Sequence, residues 1–333
     1  MSNSGCDTIL AGDIGGTKTI LALFRVDGEQ LECEREETFA SGDHSSFDEI
    51  LKTFLAAGVP RLRAACFDVA GPVVDGECRT TNLPWLLAES ALREQLGGTA
   101  TRLMNDLEAT AFGMLHLPAA EVVTLQEGIR AGPRGNVAVI AAGTGLGEAY
   151  LYWDGRHHHP MASEGGHADF APRTDLEMEL LAWMRDRIGG RVSSERILSG
   201  AGVHAVYEFL RDSGRGSETK ALMAAIATGD PAAAISLAAQ ANQDPLAVAA
   251  MELFFELYGA EAGNMALRGL THGGVFVGGG IAPKNIVLLQ GESFLRGFRA
   301  KGRFEAFMEG LQVRVALNPK TALLGAAYFA LRV

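Results

Sequence analysis

The apolar positions of this chain first fall into strand register. Over residues 8–24 the run Thr8-Ile9-Leu10-Ala11 leads into Gly12-Asp13-Ile14-Gly15-Gly16-Thr17 and leaves through Lys18-Thr19-Ile20-Leu21-Ala22-Leu23-Phe24. Apolar, β-branched runs on either side of a glycine cluster predict strand, turn, strand. Residues 137–153 repeat the device, with Val137-Ala138-Val139-Ile140-Ala141-Ala142 before Gly143-Thr144-Gly145-Leu146-Gly147 and Glu148-Ala149-Tyr150-Leu151-Tyr152-Trp153 after it. Two similar halves are expected from the pair.

Between the two hairpins the period lengthens. Residues 30–39 read as a polar third strand towards a sheet edge. Phe47, Ile50, Leu51, Phe54 and Leu55 then recur at helical spacing behind Ser46-Phe47-Asp48-Glu49, which predicts a capping box, with Gly58 and Pro60 as the stop. Residues 64–69 predict a short buried strand, 85–96 a helix, 101–104 a strand ending in Asn105-Asp106, and 107–117 a helix. The second half is less regular. An insertion carries the glycine-rich loop Ser163-Glu164-Gly165-Gly166-His167-Ala168-Asp169, and Thr174 with Glu177 predicts a capping box for a helix ending near Gly189. Residues 194–270 read as helical, broken at 213–217 and at Asp244-Pro245, a strong helix start. A strand between glycine clusters follows at residues 273–281, and Phe254, Phe255, Leu257 and Tyr258 read as core.

Composition narrows the function classes. A chain of 333 residues, 47% hydrophobic and 21% charged, is long enough for about two ordered domains. A net charge of −11 argues against a broad nucleic-acid or membrane surface, since both require clustered Lys and Arg. A small-molecule substrate fits better. No apolar run reaches membrane-span length and the N-terminus shows no export signal, so a cytoplasmic location is expected. Cys6, Cys33, Cys66 and Cys78 form no C-x-x-C pair, which predicts reduced thiols and no zinc site. The neighbouring His157, His158 and His159 are not expected to converge on one ion.

The chemistry concentrates at the turns. Glycines allow backbone N–H groups to approach a phosphate, Thr17 adds a hydroxyl, and Asp13 supplies the oxygen that Mg²⁺ prefers. Neither the P-loop spacing nor the dinucleotide fingerprint is present. Asn105-Asp106 stands at the C-terminal end of a buried strand, where open α/β sheets place ligand chemistry, although Asn and Asp are also preferred helix caps.

Taken in order, Gly12-Asp13-Ile14-Gly15-Gly16-Thr17, Thr81-Asn82-Leu83-Pro84-Trp85, Asn105-Asp106, Gly143-Thr144-Gly145-Leu146-Gly147, Glu164-Gly165-Gly166-His167, Ser194-Glu195-Arg196-Ile197-Leu198-Ser199-Gly200 and Gly278-Gly279-Gly280 resemble the bacterial ATP-dependent glucokinase family over nearly the whole chain. The resemblance implies a duplicated ribonuclease H-like (actin-like ATPase) α/β fold with sugar and Mg-ATP in a cleft between two domains. It implies a small α/β domain of residues 1–117, completed by a C-terminal helix within 315–333, a large α+β domain of residues 118–314, and a homodimer. The implied reaction moves the γ-phosphoryl group of ATP to the 6-hydroxyl of glucose, the first step of glycolysis. Asp106 would be the catalytic base, and Asn105, Asp106, Glu164, His167 and Glu195 the sugar ligands. Gly12, Asp13, Ile14, Gly15, Gly16 and Thr17 would form one phosphate turn, Gly143 and Thr144 the other, with Asp13 on Mg²⁺ and Gly279 and Gly280 beside the adenosine. Lys18 departs from the Asn of many close glucokinases and matches the related ROK family. That family carries a Cys-rich zinc motif, whereas no cysteine follows Cys78 here. The alternative is a ROK-type kinase for fructose, mannose or an amino-sugar.

Overall fold

The structure, a computed structural model, describes residues 8–28, 30–58, 60–80, 83–129 and 134–333. Cys6 and the first two residues of the Thr81-Asn82-Leu83-Pro84-Trp85 motif lie outside the described residues. The chain forms two compact units, residues 1–118 with 318–333 and residues 119–317.

In the first unit, β1 (Thr8–Ile14), β2 (Lys18–Asp27) and β3 (Gln30–Ala40) form an antiparallel meander. β4 (Leu62–Val69) and β7 (Ala100–Asn105) add parallel to β1, giving a five-stranded sheet in the order β3-β2-β1-β4-β7. The side-chain period of two sorts its residues onto two faces. Leu10, Ile14, Leu21, Leu23 and Phe67 pack with Phe47, Ile50 and Phe54 of α1 (Phe47–Ala56) and Leu92 of α2 (Glu89–Gln95). Ile9, Ala11, Ile20, Ala22, Ala64 and Cys66 pack on the other face with Ala109 of α3 (Asp106–Met114) and Leu323, Ala326 and Ala327 of the C-terminal helix (Thr321–Ala330).

Two local expectations fail here. Residues 86–88 are not helical: they form β6 (Leu86–Ala88), paired with β5 (Glu77–Arg79), and the helix α2 starts only at Glu89. Ser46 occupies the N-cap of α1 but its side chain makes no cap bond. The Glu49 carboxylate instead accepts from Ser45 N and Ser45 Oγ at 3.0 and 2.8 Å.

In the second unit, β8 (Val122–Gln126), β9 (Val137–Ala142), β10 (Leu146–Trp153), β11 (His158–Ser163), β12 (Val275–Gly278) and β13 (Val313–Ala316) form a sheet in the order β11-β10-β9-β12-β13-β8. Its first five strands repeat the succession of the first sheet: two antiparallel neighbours, then two parallel ones. α4 (Asp175–Ile188) begins at Thr174, whose side chain accepts from Glu177 N, and ends at Gly189 in the left-handed region. Only half of the expected box forms, because the Glu177 carboxylate turns to Arg173 N. α5 (Gly200–Asp212), α6 (Lys220–Thr228), α7 (Pro231–Gln240) and the 25-residue α8 (Pro245–Gly269) follow. Phe254, Phe255, Leu257 and Tyr258 of α8 are buried in the core that covers one sheet face. Among the described residues no helix is long and apolar enough to cross a membrane.

Candidate active site

The first glycine turn is a hairpin clamped by a residue that no motif announces. β1 and β2 pair up to Ile14 and Thr19, and Gly15 N donates to Lys18 O at 3.0 Å. Ser41, buried just after β3, donates from N to Thr17 O at 3.0 Å and from Oγ to Gly15 O at 2.7 Å. Its Oγ also lies 3.0 Å from Thr19 Oγ1. The Gly15 and Thr17 carbonyls are thereby fixed, with Thr17 exposed at the tip. Gly12 and Ile14 also serve the fold: a Cβ on Gly12 would meet Leu21 and Phe67 at 2.7 Å, and the Ile14 side chain is in the core.

Asp13 lies on the sheet face shared with α3, and the parallel register sets it beside Asp68 on β4. Asp68 is wholly buried and neither carboxyl oxygen receives a donor from the protein. Its polar neighbour is the Asp13 carboxyl, an acceptor like itself, so the two pair by sharing a proton. Burial first, then the charges of Asp13 and Asp106, push the Asp68 carboxyl well above the usual range. Burial also raises Asp13, against the pull of Lys18. Asp68 was hidden in the apolar run read as a buried strand; a carboxylate inside such a run was the available signal.

A stability test follows. With its folded pKa raised, Asp68 binds its proton more tightly when folded, so native stability declines as pH rises above about 4, the unfolded value, through the folded pKa. Asp68→Asn removes that slope and keeps an amide able to donate to Asp13. Thermal melts are expected to show the variant more stable at neutral pH, by ~1–3 kcal/mol, with the advantage shrinking in acid. A variant less stable at every pH overturns this account.

Asn105 ends β7 and caps α3, so the cap and the ligand readings coexist. Leu107 N donates to Asn105 Oδ1 at 3.0 Å and to Asp106 Oδ1 at 2.9 Å, and Asn105 N donates to Glu108 Oε2 at 3.2 Å. Asn105 Nδ2 donates to Gly71 O at 3.0 Å, leaving its second proton for another acceptor. Asp106 itself is exposed at the first turn of the helix.

The second unit gathers the other candidates around the turn Gly143-Thr144-Gly145. Gly143 N donates to Gly145 O at 2.8 Å, while Gly143 O accepts from Gly200 N at 2.9 Å, which sets the N-terminus of α5 against the turn. Such a helix end favours anions. Gly279, at φ +76°, passes so close to Ala142 that a Cβ would lie 2.2 Å from its carbonyl oxygen. Leu146 N donates to Glu195 Oε2 at 3.0 Å, tying Glu195 to the turn. Glu195 Oε1 stands 3.8 Å from His167 Nδ1, and Glu164 Oε2 stands 3.8 Å from His167 Nε2. The His167 imidazole thus stands between the other two sugar-ligand candidates of this unit. At that separation the groups are beyond direct hydrogen-bond length, so each keeps capacity for a hydroxyl.

The sequence as a whole decides the family. The Glucokinase family model matches residues 10–333. The chain belongs to the glucokinase family. It is 40% identical to the glucokinase of Nostoc sp., over 98% of this chain and 99% of the relative. It is similar to the crystal structure of glucokinase from an Antarctic psychrotroph, with TM-score 0.88 and 29% identity over 98% of this chain and 99% of that one. The glucokinase of Balamuthia mandrillaris, solved in complex with glucose, shares the fold at TM-score 0.75 and 24% identity, over 99% and 95% of the two chains. The two-domain α/β architecture resembles the actin-like ATPase superfamily.

Within the histidine run, His158 and His159 take different partners. His158 is buried and packs on Trp153 at 4.6 Å between ring centroids, whereas His159 Nε2 pairs with Asp154 at 2.8 Å. Cys33, Cys66 and Cys78 are free thiols. Among the described residues no group of three or more His, Cys, Asp or Glu side chains is arranged to hold a metal.

Proposed function

We propose that the chain is an ATP-dependent glucokinase that transfers the γ-phosphoryl group of ATP to the 6-hydroxyl of glucose, releasing glucose 6-phosphate and ADP. Family membership over nearly the whole chain supports the activity. The observation that carries the site assignment is the His167 imidazole, poised between Glu164 and Glu195, with Glu195 bonded to the second glycine turn. Sugar hydroxyls need both donors and acceptors, and this set supplies both.

In this reading Asp106 accepts the 6-hydroxyl proton as the oxygen attacks phosphorus, while Asn105, Glu164, His167 and Glu195 orient the sugar. The turns at Gly15-Gly16-Thr17 and Gly143-Thr144 bind phosphate through backbone N–H groups, and Gly279-Gly280 passes beside the adenosine. Phosphoryl transfer depends chiefly on positioning and charge stabilisation, so rigid turns matter more than covalent chemistry. Asp13 fits a Mg²⁺ role, because it places a carboxyl oxygen, the ligand type Mg²⁺ prefers, at the strand end beside the first turn. Mg²⁺ held there with ATP would supply neutralisation of phosphate charge. The shared strand succession of the two sheets supports an origin by duplication. Assembly as a homodimer belongs to this reading and rests on the family resemblance.

A coupled assay against a panel of hexoses and phosphate donors tests the function. Glucose with ATP is expected to give the highest kcat/KM; a preference for fructose, mannose or an amino-sugar overturns the assignment. EDTA is expected to stop turnover and Mg²⁺ alone to restore it. Stoichiometric zinc in protein purified without added metal counts against the Mg²⁺ assignment.

A further inference from the structure

Behind the Glu164–His167 loop stands a carboxyl group that the reaction does not use. Glu148 lies on β10 between Ile140 of β9 and Ser163 of β11, on the sheet face covered by α8. It is 2% exposed, and its Oε1 is buried without a partner. Its Oε2 lies directly under the loop: a Cβ on Gly165 would come within 2.2 Å of it. Gly165 is further held by donating from N to Ser163 Oγ at 2.8 Å, and Gly166 presses on the carbonyl of Leu146 so closely that a Cβ would lie 2.1 Å away. The loop that presents Glu164 and His167 therefore rests on Glu148 at one glycine and on the strand backbone at the next.

We propose that Glu148 is a positioning residue for this loop, its uncharged carboxyl group forming the floor beneath Gly165, and that loss of its proton disturbs that floor and weakens glucose binding. The proposal rests on the assignment of Glu164 and His167 to the sugar. The electrostatics of Glu148 come from α8 and from its own strand. From α8, Glu261 faces Glu148 as a like charge, although Asn264 and Arg268 both donate to it at 2.9 Å. Arg268 favours ionisation of Glu148, but half of its side chain is exposed and its guanidinium is engaged by Glu261. Tyr258, also on α8, and Tyr150, on the same strand, are hydroxyls raised by burial and by the Glu148 charge itself, so both stay neutral. Burial first, then Glu261, push the Glu148 carboxyl up to about 7. Below that pH the group is neutral and suits its apolar setting; above it a charge stands directly beneath Gly165 with an oxygen that no protein donor reaches.

The test is steady-state kinetics of the full-length protein from about pH 6 to about pH 8.5, with wild type, Glu148→Gln and Glu164→Ala. Wild type is expected to show a glucose KM that rises ~3-fold or more across this range while the ATP KM stays level. Glu148→Gln, permanently neutral and of the same size, is expected to hold the low-pH glucose KM throughout. An unchanged pH dependence in Glu148→Gln overturns the proposal. Glu164→Ala separates the underlying assignment: if it leaves the glucose KM alone, the loop does not bind sugar, whatever Glu148 does. Hydrogen exchange of amides 163–168 in wild type, corrected for the intrinsic effect of pH, reads the loop without a variant. Protection is expected to fall as pH passes about 7, and pH-independent protection overturns the proposal.

Discussion

Asp106→Asn is expected to lower kcat by ~10²-fold or more while glucose binding stays within a few-fold of wild type. The substitution keeps the planar shape, and its amide oxygen can still accept from Leu107 N, the bond that the carboxylate makes at 2.9 Å. Asn is also tolerated at the start of a helix, so α3 and the strand end that carries it are expected to persist. What disappears is the ability to take a proton from the attacking hydroxyl. Loss of an interaction made only as the reaction proceeds lowers kcat without a matching change in ground-state binding. Initial rates give kcat, and calorimetric titration with glucose gives the Kd. Near-normal turnover removes Asp106 from the mechanism, whereas loss of both turnover and binding assigns it to the fold.

The features legible in the sequence are those whose physics is local. A glycine cluster between two apolar runs sets a hairpin by itself, and both turns appear where the spacing puts them. Asn105 and Asp106 were visible because a strand end and a helix cap both leave a polar pair at that position. Other features depend on residues far along the chain. Leu86-Leu87-Ala88 has helical composition, but pairing with Glu77-Cys78-Arg79 makes it a strand. Ser45 displaces Ser46 as the partner of Glu49 through a one-residue shift that propensity does not resolve. Ser41 and Asp68 draw their roles from cross-strand neighbours: Ser41 from the turn it clamps, Asp68 from the register that sets it beside Asp13. Nothing local in its strand marks Glu148, because the loop that rests on it is folded back by β11.

Glu195 shows how one side chain can serve two sites, and its substitutions separate them. Oε2 accepts from Leu146 N, at the exit of the second glycine turn, and Oε1 faces His167. Glu195→Ala removes both, leaves Leu146 N without its acceptor and opens space beside Gly145, where a Cβ would now stand 2.5 Å from Oε2. Loss of the Oε1 contact to a sugar hydroxyl costs ~1–3 kcal/mol, so the glucose KM is expected to rise ~10- to 100-fold, with a smaller rise in the ATP KM as the turn around the unpaired Leu146 N loosens. Glu195→Gln retains a carbonyl oxygen for Leu146 N and removes only the charge beside His167. The ATP KM is therefore expected to return close to wild type while the glucose KM stays raised. Kinetics in both substrates read the separation directly. If Glu195→Gln restores glucose and ATP alike, the carboxylate supports the turn and nothing more, and the assignment of Glu195 to the sugar fails. If Glu195→Ala changes the ATP KM more than the glucose KM, the phosphate turn is its principal duty.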